Sequence, residues 1–210
     1  MPYKTFTAGE ILTAADVMTY LMNQVVVVCT SGTRPSSPAE GRVIYETDTD
    51  RMMIWDGTAW AEALINSTSR PCCGVTRATD QAVGTGTTGI LVSWSTENYD
   101  VGNMTTGSGT TLATIPANRG GKYLISAAIA FTANGTGTRT VLVNVSGNTR
   151  VRQSAAAAGS GNPTRVSVST IQTCASGDTI TIGVFQDSGA SLNVLATEGM
   201  PHGAVYYLGP

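Results

Sequence analysis

Between Gly120 and Asn148 apolar side chains recur at every second position, and that alternation commits the stretch to β-sheet. Tyr123, Ile125, Ala127, Ile129 and Phe131 form one series, and Val141, Val143 and Val145 form the next. Successive strand side chains point to opposite faces, so each series lines one face of a sheet. Asn134-Gly135-Thr136-Gly137 lies between them, with two glycines able to take the positive φ of a hairpin loop. The pattern predicts a hairpin bounded by Gly121 and by Gly147-Asn148. A lone hairpin with one apolar face is not stable in water, so a second sheet must cover it.

The rest of the C-terminal half offers that cover. Ile90–Trp94, Thr111–Ile115, Arg165–Thr173, Asp178–Gln186, Ser191–Leu195 and Ala204–Leu208 read as short strands. The alternation slips between Val168 and Ile171, which predicts a bulge. Ala155–Ala158, followed by Gly159-Ser160-Gly161-Asn162-Pro163, reads as a loop. About eight such strands predict an all-β chain whose C-terminal part is an antiparallel jelly-roll sandwich. Composition agrees. Charged residues are 12%, against roughly 25% in an average domain, and Thr, Ser, Asn and 24 glycines take their place.

The N-terminal third differs. Thr13 followed by Asp16 resembles a capping box, and Ala14, Ala15, Val17, Met18, Leu21 and Met22 fall at helical spacing. The helix is expected to end by Asn23-Gln24, before the β-like run Val25–Val28. Val43–Tyr45 and Met52–Trp55 predict a hairpin turned at Thr47–Asp50, with Trp60 returning after Asp56-Gly57. Pro71 and the pair Cys72-Cys73 mark a change of character. The expected division is a helix-plus-hairpin module over residues 1–68 and a jelly roll over 69–210.

Several function classes find no support in the residues. The net charge is −2 with no basic run, so nothing directs the chain to nucleic acid. No segment approaches the roughly 18 apolar residues of a membrane helix, and the start lacks the basic-then-apolar pattern of a secretory signal. Gly84-Thr-Gly86-Thr-Thr-Gly89 matches a dinucleotide fingerprint, but a strand follows where a helix is needed. His202 is the single histidine and is expected in a loop, with no Gly-x-Ser-x-Gly elbow to make it catalytic. Glu46, Asp48 and Asp50 alternate as calcium ligands can, yet turn residues do the same. Cys29 and Cys174 read as small buried hydrophobes. No cofactor, metal site or catalytic residue is expected.

Two resemblances add to this reading. Trp94-Ser-Thr-Glu-Asn98-Tyr99-Asp100, then Ile115-Pro116 with Gly120-Gly121-Lys-Tyr123, then Ser176-Gly177-Asp178-Thr179-Ile180 stand in order over residues 74–210. Together they resemble the jelly roll of complement globular heads and tumour-necrosis-factor-like proteins. That resemblance implies a homotrimer, with threefold contacts expected at Tyr123, Ile125, Tyr206 and Tyr207. The N-terminal part, Phe6-Thr-Ala-Gly9-Glu10-Ile-Leu12-Thr13, Arg34-Pro35 and Tyr45-Glu46-Thr47-Asp48 with Trp55-Asp56-Gly57-Thr-Ala-Trp60, is similar to the start of bacteriophage minor tail and fibre proteins. It implies docking to a virion, expected through Leu12, Val17, Leu21, Trp55 and Trp60. The expectation is therefore a non-enzymatic, virion-located, tail-associated appendage made in the bacterial cytoplasm. Its expected partners are its own copies, other virion proteins of the tail or capsid, and a host-surface glycan or protein. A capsid decoration or head fibre of the same architecture is the alternative, and a glycan-cleaving enzyme would need paired carboxylates in a cleft.

Overall fold

Residues 7–17, 25–63, 70–87, 89–159, 161–196 and 201–210 are described by a computed structural model. The chain divides into two units, Met1–Asn66 and Ser67–Pro210.

In the first unit, Thr13 caps α1 (Ala14–Asp16). Its hydroxyl accepts from Asp16 N–H at 3.1 Å, and the Asp16 carboxylate accepts from Thr13 N–H at 3.1 Å. The reciprocal bonds satisfy two amides that the helix itself leaves unpaired. The remainder of the expected helix, with Met18, Leu21 and Met22, lies outside the described residues. Strands β1 (Val27–Cys29), β2 (Val43–Glu46), β3 (Arg51–Trp55) and β4 (Trp60–Glu62) form a sheet in that order, with β1 parallel to β2. The expected hairpin is β2–β3, paired from Val43↔Ile54 to Glu46↔Arg51. Glu46 is fully buried, ion-paired with Arg34 and accepting from Thr49 Oγ1 at 2.8 Å. Asp48 accepts from Ser31 N–H at 2.8 Å, and Asp50 accepts from the Tyr45 hydroxyl at 2.8 Å. These three carboxylates are taken up by local hydrogen bonds, which favours the turn reading over calcium. No group of three His, Cys, Asp or Glu side chains suited to a metal exists among the described residues.

The second unit is two stacked sheets. One contains β5 (Cys72–Thr76), β6 (Gln81–Val83), β8 (Thr96–Val101), β10 (Gly121–Phe131), β13 (Thr164–Cys174), β15 (Leu192–Val194) and β16 (His202–Gly209). Its central order is β13-β10-β16-β5-β8. The other contains β7 (Ile90–Leu91), β9 (Thr111–Thr114), β11 (Thr138–Val145), β12 (Asn148–Ala156) and β14 (Thr179–Gln186), with β12-β11-β14 in a row and β7 and β9 both on β14. Inward residues of the first sheet, including Tyr123, Ile125, Ile129 and Phe131, meet Val141, Val143, Ile180 and Ile182 of the second, all fully buried. Burial of each such side chain stabilises the fold by about 1.5–3 kcal/mol.

Four expectations require correction. β10 and β11 are not a hairpin: β10 pairs with β13 and β16, whereas β11 pairs with β12 and β14. The two apolar series face each other across the core instead of lying side by side. Ser146 and Gly147, at φ 48° and 78°, end the second strand as expected but also turn the chain straight into β12, so Ala155 and Ala156 are strand and not loop. That is the two-residue, positive-φ turn favoured in hairpins. β13 carries no bulge against β10, because its register runs unbroken from Gly121↔Cys174 to Phe131↔Thr164. His202 opens β16 rather than lying in a loop.

Asp178 ties two turns together, accepting from Ser146 Oγ at 2.6 Å and from Ala175 N–H at 2.8 Å. Those bonds, the first before the second, hold its pKa below the ordinary carboxylate value. A folded-state pKa below the unfolded one means stability that is complete above pH ~4 and lost as pH falls through the lowered value. We therefore expect Asp178→Asn to flatten the acid limb of the stability–pH curve while lowering stability at pH 7, measured by urea unfolding across that range.

Candidate oligomer interface

The outer face of the first sheet is where the second unit departs from a self-sufficient sandwich. Paired residues on neighbouring antiparallel strands share a face, so the register fixes one row across five strands. Ile171 of β13 is opposite Leu124 of β10, Leu124 is opposite Tyr206 of β16, Tyr206 is opposite Cys72 of β5, and Cys72 is opposite Val101 of β8. All five lie on the face away from the core. Ile171 is 59% exposed and Tyr206 40%, while Leu124, Cys72 and Val101 are half-buried. Leu208, the extra residue where β16 slips against Lys122/Tyr123, adds a further side chain at 46%. The row contains no charge.

The next row carries small residues at its centre. Ser126 pairs with Ala204, Ala204 with Gly74, and Gly74 with Tyr99. The Tyr99 ring lies on the bare backbone of Gly74, where a Cβ would come within 2.4 Å of its Cε1. From there Tyr99 reaches Tyr206, with ring centroids 6.0 Å apart and a hydrogen bond between the two hydroxyls. Burial first, and the Tyr206 hydrogen bond second, push the Tyr99 phenol up, so it stays neutral. Burial, then Asp100, raises the Cys72 thiol as well, which leaves it a weak nucleophile. This row therefore offers apolar area and neutral hydroxyls, the chemistry of an association surface, with Lys122 and Arg165 flanking it on the same face.

The expected contact residues are split by this geometry. Tyr206 is on the outer face. Tyr123 and Ile125 are fully buried and Tyr207 is 9% exposed, all within the sandwich core. Tyr123 and Tyr207 stack there with centroids 5.1 Å apart. Adjacent strand residues must point oppositely, so Tyr206 and Tyr207 cannot both face a partner. Ile171 and Leu124 were missed, although the slip at Ile171 was their signal: an apolar residue out of phase is an apolar residue on the other face.

In the first unit Trp55 and Trp60 pair edge-on, centroids 5.5 Å apart, on the face that also carries the buried Ile44 and Met53. The opposite face holds Val28, 66% exposed, and Ile54, 38% exposed, beside Tyr45 and Met52. Leu12 is 50% exposed, Val17 is the half-buried C-cap of α1, and Leu21 lies outside the described residues. Residues 1–66 carry eight acidic and four basic side chains, whereas residues 67–210 carry six and eight. The Gly84–Gly89 stretch, with Gly86 at φ 68°, leads into β7 and not into a helix.

No family model matches the chain, and no curated protein matches it. Solved structures do. The crystal structure of murine APRIL at pH 8.0 superposes with a TM-score of 0.50 at 15% identity, over 66% of this chain and 99% of that one. The second unit is wound as a jelly roll. Murine APRIL at pH 8.5 gives a TM-score of 0.49 at 15% identity over the same shares, and the globular domain of zebrafish complement 1qA gives 0.45 at 15% identity over 65% and 93%. At such identities the likeness is one of chain path. The exposed large apolar side chains among the described residues of this jelly roll, Ile171, Tyr206 and Leu208, all lie on this outer face.

Proposed function

We propose that the chain is a non-enzymatic structural and binding protein whose jelly roll associates as a homotrimer through the outer face of the β13-β10-β16-β5-β8 sheet. The observation that carries this reading is the uncharged row Ile171–Leu124–Tyr206–Cys72–Val101. Apolar surface gathered into one patch marks an interaction site. The jelly-roll winding supports the reading. Light scattering at micromolar concentration should give three times the 21.7 kDa of one chain; a monomeric mass would refute the trimer.

The N-terminal unit is the docking half of the proposal. Val28 and Ile54 give it an apolar face that its own strands leave open, and its acidic balance suits a basic partner. With the sequence resemblance to minor tail and fibre proteins, this supports a tail-associated place on a bacteriophage particle, the jelly roll projecting toward the host surface. Three copies of one head would add avidity to whatever each head binds. Antibody to this chain, applied to particles and seen by negative stain, should label the tail.

A further inference from the structure

The loop between β8 and β9 is tied down along its whole length. Gly102, Asn103, Gly107 and Gly109 all take left-handed backbone angles, with φ of 93°, 56°, 69° and 88°. The Asp100 carboxylate accepts from Met104 N–H at 2.9 Å and from Thr105 N–H at 3.0 Å. Thr114 N–H donates to the Met104 carbonyl at 2.7 Å, and Trp94 and Gly109 exchange two backbone hydrogen bonds. Met104 is thereby fixed in the core at 2% exposure. A loop held this way has little conformational freedom left to lose when something binds.

This loop and β9 line an open surface depression of about 230 Å³. At ~30 Å³ per water that is room for about eight waters, or for one six-membered ring with its substituents. The buried Met104 and Thr105 lie at its base, and Ser108, Thr110, Thr111 and Thr114 surround it. No acidic, basic or histidine side chain lines it. The Thr110, Thr111 and Thr114 hydroxyls make no hydrogen bond to another described residue, so their donors and acceptors are open to a ligand. Their methyl groups supply apolar surface between the hydroxyls.

We propose that this depression is a binding site for one neutral sugar ring of a glycan. A charged ligand finds no counter-ion there, and a purely apolar one would strand the hydroxyls without water. A ring with hydroxyls around its rim and C–H groups on its faces matches both parts of the lining. The site lies within one subunit, so the proposal goes beyond the trimer reading and does not depend on it.

The test is titration of the isotope-labelled full chain with glucose, galactose, mannose and N-acetylglucosamine, with glucuronate as the charged control, followed by amide NMR. One ring making a handful of hydrogen bonds has a Kd on the order of millimolar. At least one neutral sugar should shift the amides of residues 104–114 saturably. The combined substitution Thr110→Val, Thr111→Val and Thr114→Val keeps the shape and removes the hydroxyls, and should weaken binding about tenfold or more. Its β10 and β14 amides should stay in place. The proposal is overturned if no neutral sugar shifts residues 104–114, if the wild-type shifts map elsewhere, if the triple variant binds as well, or if glucuronate binds as tightly. The wild-type map decides the matter even if the triple variant does not fold. Light scattering on the same samples reads the oligomer separately.

Discussion

Ile171→Asp should leave the chain folded and break the trimer. Ile171 is 59% exposed in the subunit, so a carboxylate there keeps most of its hydration, and the core beneath is untouched. The neighbouring inward residues Val168 and Cys174 are unaffected, because side chains one position apart on β13 point to opposite faces. In the assembled face the same carboxylate would sit beside Leu124 and Tyr206, and Lys122, the cation one diagonal away on this face, already donates to the Pro210 carbonyl at 2.9 Å. An unpaired charge removed from water costs several kcal/mol. At about 3 kcal/mol for each copy the affinity falls by roughly a hundredfold per contact, and three contacts close the ring. Light scattering should therefore show the variant as a monomer at concentrations where wild type is trimeric, with its circular dichroism unchanged. Ile171→Val should remain a trimer. Gln153→Asp, an exposed position on the opposite sheet, should also remain a trimer. A trimeric Ile171→Asp would move the interface to another face.

Ile171 also shows how far sequence alone carries. Alternation tells which residues of a strand share a face, and that was enough to place Tyr123, Ile125, Val141, Val143 and Ile182 in one buried layer. It does not tell which strands are neighbours. β10 and β11 follow one another in sequence and read as a hairpin, yet Thr132 and Ala130 hydrogen-bond to Asn193 and Leu195 as the chain leaves one sheet for the other. Strand β12 escaped notice because it is an edge: Arg150, Arg152, Gln153 and Ser154 are exposed, and only Val151 and Ala155 turn toward the core. β5 was obscured by its thiols, with Cys73 fully buried and Cys72 on the outer face. The proposed interface is the least legible part. Tyr206 and Tyr207 are equivalent in sequence, and which of them faces the core is settled by strand pairing, Tyr207 with the buried Tyr123 and Tyr206 with Leu124.

The slip of β16 against Lys122/Tyr123 lies beside the position where one added methyl group should cost the most. Gly121 opens β10 at φ 154°, with the end of β16 against it. A Cβ there would come within 2.4 Å of the Gly209 carbonyl oxygen, 3.1 Å of its carbon and 2.8 Å of the Tyr207 ring. Two of these atoms are backbone and cannot rotate away. Relief requires β16 to draw back from β10, and the Tyr207 ring is stacked on Tyr123, whose hydroxyl donates to the Arg119 carbonyl at 2.6 Å. Gly121→Ala should therefore destabilise the jelly roll by about 3–5 kcal/mol, combining backbone strain with overpacking against a fixed partner. Gly177 provides the comparison. It has φ 85° and nothing within 4 Å of a Cβ, so Gly177→Ala bears only the left-handed strain, about 1–2 kcal/mol. Urea midpoints for the two variants against wild type separate the contributions: the difference between them is the steric part. If both lose the same amount, β16 yields to the methyl group without cost, and the close backbone contact at Gly121 is not what holds the end of this sheet together.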